Sequence, residues 1–233
     1  MNEICNVSSD FCKACHEQSP LLSFLTDEER NSVEKTRLTV SFRKGETIRK
    51  QGTFLSHVLI ISQGLAKVYL EGSDQRSSII RIVKPVQFVG GPGIYLDHIH
   101  HYTVSALVET TVCFFDAVVF REIVDSNRLF AHQFLKDFSQ NVLSVYNRLV
   151  NLTFKQMPGR LADAILYLAD EIFESPHIPL VFSKVDLAEL SGMSKDSAIK
   201  TLRDFQQSGI IEINERELLL LNRETLIRIS KTG

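Results

Sequence analysis

The chain has 233 residues, enough for two domains of ordinary size, and its 44% hydrophobic and 23% charged residues are those of a soluble globular fold. No apolar run approaches the roughly 20 residues that span a bilayer, and the N-terminus MNEICNVSSD lacks a basic region followed by an apolar core, so a cytoplasmic protein with no membrane partner is expected. The formal net charge of -2 argues mildly against a general nucleic-acid coat, while a sequence-specific dimer needs only a local basic face.

Residues 1 to about 20 hold Cys5, Cys12 and Cys15 in a polar segment without helical or strand period, and the fourth cysteine of the chain is Cys113. Chemistry rather than packing is positioned to hold such a segment. Thr26-Asp27-Glu28-Glu29 then starts a helix, with Thr26 as N-cap and Glu29 completing a capping box. From Leu38 to about Phe120 the pattern changes to short alternating runs, among them Val58-Leu59-Ile60-Ile61, Ser78-Ile79-Ile80-Arg81-Ile82-Val83 and Thr111-Val112-Cys113-Phe114-Phe115. Gly45, Gly52, Gly64, Gly72, Pro85 and the cluster Gly90-Gly91-Pro92-Gly93 punctuate them. Many short strands with turns at this spacing predict an all-β barrel or sandwich.

A long helix follows, from about Asn127 to Leu152. Ala131, Leu135, Phe138, Val142, Val145, Leu149 and Leu152 alternate four and three residues apart, the a/d seam of a parallel homodimer. A second stripe, Phe130, Phe134, Leu143, Tyr146 and Val150, is assigned to the chain's own β domain. Met157-Pro158-Gly159-Arg160 marks a hinge. Arg160 to Phe173 is a further amphipathic helix, and Ser175 to Pro179 forms a turn before a short strand, Leu180-Val181-Phe182.

Lys184 to Phe205 has the form of two short helices joined at a glycine. Asp186 is placed as the first N-cap, Gly192 makes the turn, and Ser194 caps a second helix carrying Ala198, Thr201, Leu202 and Phe205. Gly209 ends that helix, and Ile210 to Ile213 with Leu218 to Leu221 make a hairpin around Asn214-Glu215-Arg216-Glu217. A helix-turn-helix followed by a hairpin is a winged helix, whose second helix enters the DNA major groove. Ser194, Lys195, Asp196, Ser197 and Lys200 fall where bases are read, with Arg203 nearer the backbone and Lys184 on the same basic face.

This order of parts resembles the CRP/FNR superfamily of bacterial transcription regulators, through Gly45-Glu46-Thr47-Ile48, Ser62-Gln63-Gly64-Leu65-Ala66-Lys67 and Phe88-Val89-Gly90, and through Leu187-Ala188 to Gly209. The resemblance implies an α+β chain: a cyclic-nucleotide-binding-type β-roll (jelly roll) within 1–126, a dimerisation helix at 127–153 and a winged helix-turn-helix at 154–233. It implies a homodimer on a palindromic double-stranded DNA operator, with RNA polymerase as a further partner. Cyclic-nucleotide-binding members follow Phe-x-Gly with Glu and later carry an Arg-Ser or Arg-Thr pair. Here Gly91 follows Gly90, and His100-His101 stand at the pair, which argues against cyclic AMP; Gly90, Gly91, His100 and His101 mark the effector pocket for another small molecule.

In the fumarate-nitrate-regulator branch, three N-terminal cysteines and one from the end of the roll hold an iron-sulfur cluster. Cys5, Cys12, Cys15 and Cys113 match that set in kind, which implies a 4Fe-4S cluster. Their spacing reverses the branch's usual order of short and long gaps. Alternatives from the residues alone are a zinc site completed by His16, and Cys113 as a buried small hydrophobe. Asp97-His98-Ile99-His100-His101 offers a further metal or haem ligand set. An enzyme is not expected, since no Ser-His-Asp, paired-carboxylate or phosphate-loop pattern occurs. The competing class is a ligand- or redox-binding module acting through protein-protein contacts.

Overall fold

In the computed structural model, residues 19–72 and 76–233 are described. They fall into two units: the described residues up to Glu71 with Arg81–Leu143, and the described residues of Gly72–Ile80 with Ser144–Gly233. Cys5, Cys12, Cys15 and His16 lie outside the described residues.

The first unit opens with helix α1 (Asp27–Thr36), whose capping box forms as its sequence requires: Thr26 N donates to Glu29 Oε2 at 2.8 Å and Glu29 N to Thr26 Oγ1 at 3.3 Å. Eight strands follow: β1 (Leu38–Phe42), β2 (Thr47–Arg49), β3 (His57–Gln63), β4 (Ala66–Glu71), β5 (Ser77–Val83, of which Arg81–Val83 belong to this unit), β6 (Phe88–Val89), β7 (Thr103–Ala106) and β8 (Thr110–Asp116). One sheet has the order β1-β8-β3-β6 and the other β2-β7-β4-β5. This is the roll that the alternating pattern predicts.

Strands β3 and β8 are buried on both faces, which explains their near-continuous apolar runs. Successive side chains leave a strand on opposite sides. Val58, Ile60, Cys113 and Phe115 therefore share one face and pack with Leu21, Leu22, Leu25 and Phe120, while Leu59 and Phe114, partners in the β3–β8 register, take the other.

Helix α2 (Ala117–Ser126) begins where the β pattern was expected to continue to Phe120. Asp116 Oδ1 accepts from Val118 N at 2.7 Å and Val119 N at 3.3 Å, and this cap ends the strand. Helix α3 (Arg128–Phe154) starts two residues later and matches the expected long helix. Phe120, on α2, packs edge-on against Phe130 and Phe134 of α3, with centroids 5.6 and 5.3 Å apart. Only those first two members of the second stripe are buried; Leu143, Tyr146 and Val150 are exposed, contrary to their assignment to the β domain. The stripe turns outward because the core contacts of α3 end with its first two turns.

In the second unit, helix α4 (Met157–Tyr167) carries Pro158 in its first turn, where a missing N–H costs nothing. Residues Leu168–Ile172 continue it with wider turns, closed by Phe173 N donating to Leu168 O at 2.9 Å. The next strand, β9, is His177–Pro179 and not the expected Leu180 to Phe182. Ile178 pairs with Leu218, whereas Leu180 and Val181 form the turn beyond it. Helices α5 (Lys184–Ser191) and α6 (Lys195–Gln207) and strands β10 (Ile211–Ile213) and β11 (Glu217–Leu220) complete the winged motif, with sheet order β10-β11-β9. A last helix, α7 (Arg223–Thr232), absent from the sequence expectation, packs on α4.

Candidate nucleic-acid interface

Ser183, not Asp186, caps α5. Asp186 sits at the third helical position, its Oδ2 accepting from Ser183 N at 2.8 Å while Asp186 N donates to Ser183 Oγ at 3.1 Å. This reciprocal pair is the acidic version of a capping box. Gly192 ends α5 in the left-handed region, at φ 61°, and Met193 N turns back to Ala188 O at 2.9 Å. A Cβ on Gly192 would lie 2.2 Å from Leu152 Cδ2, so both backbone and packing require glycine here.

Ser194 caps α6 by accepting from Ser197 N at 3.1 Å. Ala198, Thr201, Leu202 and Phe205 form the buried face, and Thr201 returns its hydroxyl to Ser197 O at 2.9 Å. The opposite face exposes Lys195, Asp196, Lys200 and Arg203, with Ser194 at its start. Among the described residues none of these four charged side chains makes a hydrogen bond or ion pair. Lys184 is exposed in the first turn of α5. The wing is closed by Asn214, whose Oδ1 accepts from Arg216 N at 2.8 Å and Glu217 N at 2.9 Å.

The second unit ties α3 to this motif. Arg148 Nη1 donates to Leu190 O at 2.7 Å, a carbonyl that the end of α5 leaves open, and Nη2 to Glu189 O at 2.8 Å, which also accepts from Gly192 N at 3.4 Å. Burial pulls the Arg148 pKa down to about 10, which still leaves it charged. In the first unit α3 is held by Arg81, which donates to Asn141 Oδ1 at 2.7 Å and to Phe88 O at 3.1 Å. These anchors were not legible in the sequence, since neither arginine belongs to a motif.

The seam residues of α3 divide. Leu135, Phe138, Val145 and Leu149 are exposed, Leu135 and Leu149 by 60% and 61%, while Val142 is half-buried. Large apolar side chains exposed in a row along one helix mark an association surface.

The sensor-side residues do not form one cluster. A Cβ on Gly90 would meet the Phe88 ring and Ile94, and one on Gly91 would come within 3.1 Å of Tyr102 Cε1. His101 pairs with Asp97 at 3.1 Å, His98 Nδ1 lies 2.9 Å from Arg121 Nη1, and His100 is buried. The imidazoles thus go to three different places, and no group of three or more metal-ligating side chains occurs among the described residues. Cys113 is 1% exposed in β8, with its Sγ 3.7 Å from Thr39 Oγ1.

A roll of eight strands, a long helix and a helix-turn-helix with a capped, charge-lined second helix define a sequence-specific DNA-binding transcription regulator. Comparison with known proteins agrees. The cyclic nucleotide-binding domain model matches residues 39–127 and the Crp-like helix-turn-helix domain model residues 159–229. A CRP-like cAMP-activated global transcriptional regulator of Mycobacterium tuberculosis is 23% identical over 201 residues, 84% of this chain and 90% of its own. The nitrogen fixation regulation protein FixK of Bradyrhizobium diazoefficiens is 21% identical over 217 residues, 91% and 90% of the two chains. The solved structure of FixK2 from Bradyrhizobium japonicum superposes with a TM-score of 0.76 at 18% identity, covering 84% of this chain and 98% of that one. At that identity the likeness establishes the fold. The chain belongs to the CRP/FNR superfamily of transcription regulators.

Proposed function

We propose that the chain acts as a homodimer joined along α3, placing two α6 helices in successive major grooves of a palindromic operator, with its state set at the N-terminal sensor. The division is 1–126 for the sensor, 127–153 for the dimer helix and 154–233 for the reader. The observation that carries this reading is the free row of Lys195, Asp196, Lys200 and Arg203 on α6. Charged side chains without a partner among the described residues are available to phosphates and base edges. The exposed apolar seam of α3 supports the dimer, and half-sites one DNA turn apart are its geometric consequence.

Signal transfer has a physical basis in α3 itself. One continuous helix carries Asn141, bound to Arg81 of the sensor unit, and Arg148, bound to the end of α5. A change at the sensor that displaces α3 is therefore delivered to the reader through hydrogen bonds. RNA polymerase is the partner such a regulator addresses once on DNA.

Two entry points for the signal are proposed. Cys5, Cys12, Cys15 and Cys113 would supply four thiolates to an iron-sulfur cluster, which confers sensitivity to oxygen. Support comes from Leu21, Leu22 and Leu25, which bring the segment after the N-terminal cysteines into the apolar cluster containing Cys113. The other entry point is the roll interior, for an effector other than cyclic AMP: a Cβ at position 91 would lie 3.1 Å from Tyr102 Cε1, so that ring would have to give by a few tenths of an ångström to admit an acidic side chain. Burial pushes the Tyr102 phenol up to about 12, so it stays neutral.

Sedimentation of the full chain with and without promoter duplex, at several salt concentrations, tests the central reading. A dimer whose affinity falls steeply with salt supports it. A monomer, or binding without a salt slope, overturns it. Anaerobic purification with an absorption spectrum and iron and sulfide assay tests the cluster, and a colourless, iron-free sample removes it.

A further inference from the structure

Arg49 ends β2, and its guanidinium lies 4.2 Å from the centroid of the Phe114 ring on β8. The two strands belong to different sheets, and Phe114 is buried against the edge of Phe42, so the cation stands between the sheets of the roll. Its one hydrogen bond among the described residues runs from Nη1 to the carbonyl of neighbouring Ile48 at 3.2 Å. Among the described residues no carboxylate pairs with it. Glu71 is held by Lys50 at 2.6 Å and by the Thr103 hydroxyl, and Asp97 by His101 at 3.1 Å.

His100 is the second element. It is 6% exposed, and its Nε2 has no hydrogen-bond partner among the described residues. Its backbone is fixed on both sides, His100 N donating to Thr53 O at 2.9 Å and His100 O accepting from Gly52 N at 2.7 Å. The imidazole is therefore held in place with a polar atom left open. The turn that holds His100 follows Arg49 by three residues, and a half-buried guanidinium without an acid and a buried imidazole without a partner among the described residues are costly unless an anion completes the set.

We infer that the roll interior of this chain binds a small organic carboxylate, gripped by the Arg49 guanidinium and the Nε2–H of His100, with its apolar body against Phe114. One cation and one neutral donor suit a planar monoanion, whose two oxygens match the guanidinium fork. A phosphate dianion asks for more donors than this apolar setting offers. The inference rests on reading the roll as a sensor and names the chemistry of its effector. These anchors lie on β2 and at the end of the loop before β7, and only His100 was among the sequence-predicted pocket residues.

The test uses the full chain with benzoate and acetate as probes, and chloride and inorganic phosphate as controls, at constant ionic strength. Binding is followed by calorimetry and by the imidazole signals of 15N-histidine protein, with His100 assigned through His100→Gln. The expected result is saturable carboxylate binding that shifts the His100 signal and weakens by about tenfold or more in Arg49→Leu, with a smaller loss in Arg49→Lys. Unliganded Arg49→Leu should also resist urea better than the parent, because a half-buried unpaired charge is gone. Benzoate binding that is absent, equal in Arg49→Leu, or matched by chloride overturns the inference, an adventitious additive only. Promoter binding is measured on the same samples: failure of the parent chain to bind DNA sinks the regulator reading and leaves the carboxylate result standing.

Discussion

Arg148 on α3 donates to the main-chain carbonyl of Leu190 at 2.7 Å, so the last turn of α5 is closed by a side chain from another helix. The same guanidinium reaches Glu189 O at 2.8 Å. A helix C-terminus carries open carbonyls and partial negative charge, and the half-buried Arg148 answers both. Replacing it by alanine leaves the Leu190 carbonyl without this donor and takes one of two donors from Glu189 O, at a cost of about 1–3 kcal/mol. Arg148→Ala should lower the urea midpoint accordingly and weaken operator binding, because α5 positions α6. Unchanged stability would show that the contact carries no energy.

Val86 sits at φ 71°, a backbone region that β-branched residues avoid. It occupies the turn after Pro85, where Val86 N donates to Ile61 O at 2.7 Å and Gln87 N to Lys84 O at 3.3 Å. Those bonds hold the strain in place. Val86→Gly relieves it and should stabilise the chain by about 1 kcal/mol, even after the added freedom of the unfolded glycine. Denaturant unfolding measures this directly, and a destabilised variant would refute it.

His100 supplies the pH dependence. Burial first, then the charges of Arg49 and His101, lowers its pKa from 6.5 to about 4. Between those values the unfolded chain binds the proton and the folded chain does not, so stability falls as pH drops from about 6.5 towards 4. The expected loss is on the order of 1–3 kcal/mol. His100→Gln should flatten this part of a urea-midpoint profile recorded from pH 7 to 4.5. Identical slopes in parent and variant would exclude His100 as the source.

Lys200 lies on the exposed face of α6, one turn after Asp196. Lys200→Ala should weaken specific binding by about 1–3 kcal/mol and relax selectivity at one base position of each half-site. Competition titrations against single-base operator variants resolve the two effects. Equal affinity and equal selectivity would place Lys200 off the bases.

The reader was legible because its signals are local. Gly192, Ser194 and Gly209 punctuate α5 and α6, and each stands at a helix end where the structure needs it. Helix α2 was hidden because Ala117-Val118-Val119-Phe120 continues the apolar run of β8, and only Asp116 marks the change. Helix α7 was missed for the opposite reason: of its ten residues only Leu226 and Ser230 are buried, too few for a periodic pattern. Strand β9 lay three residues before its expected place because cross-strand pairing with Leu218, which no local pattern encodes, chose Ile178. Arg49 gave no signal, since a register shift between Thr47 and Arg49 alters the facing of β2.

The most direct test of a dimer that reads DNA through paired α6 helices is selection of bound duplexes from a randomised library by the full chain, followed by sequencing. The expected result is a palindrome whose half-sites are centred about one helical turn apart, with enrichment that Lys200→Ala degrades at matching positions in both halves. Recovery of unpaired, unrelated sequences, or a single half-site without symmetry, would contradict it.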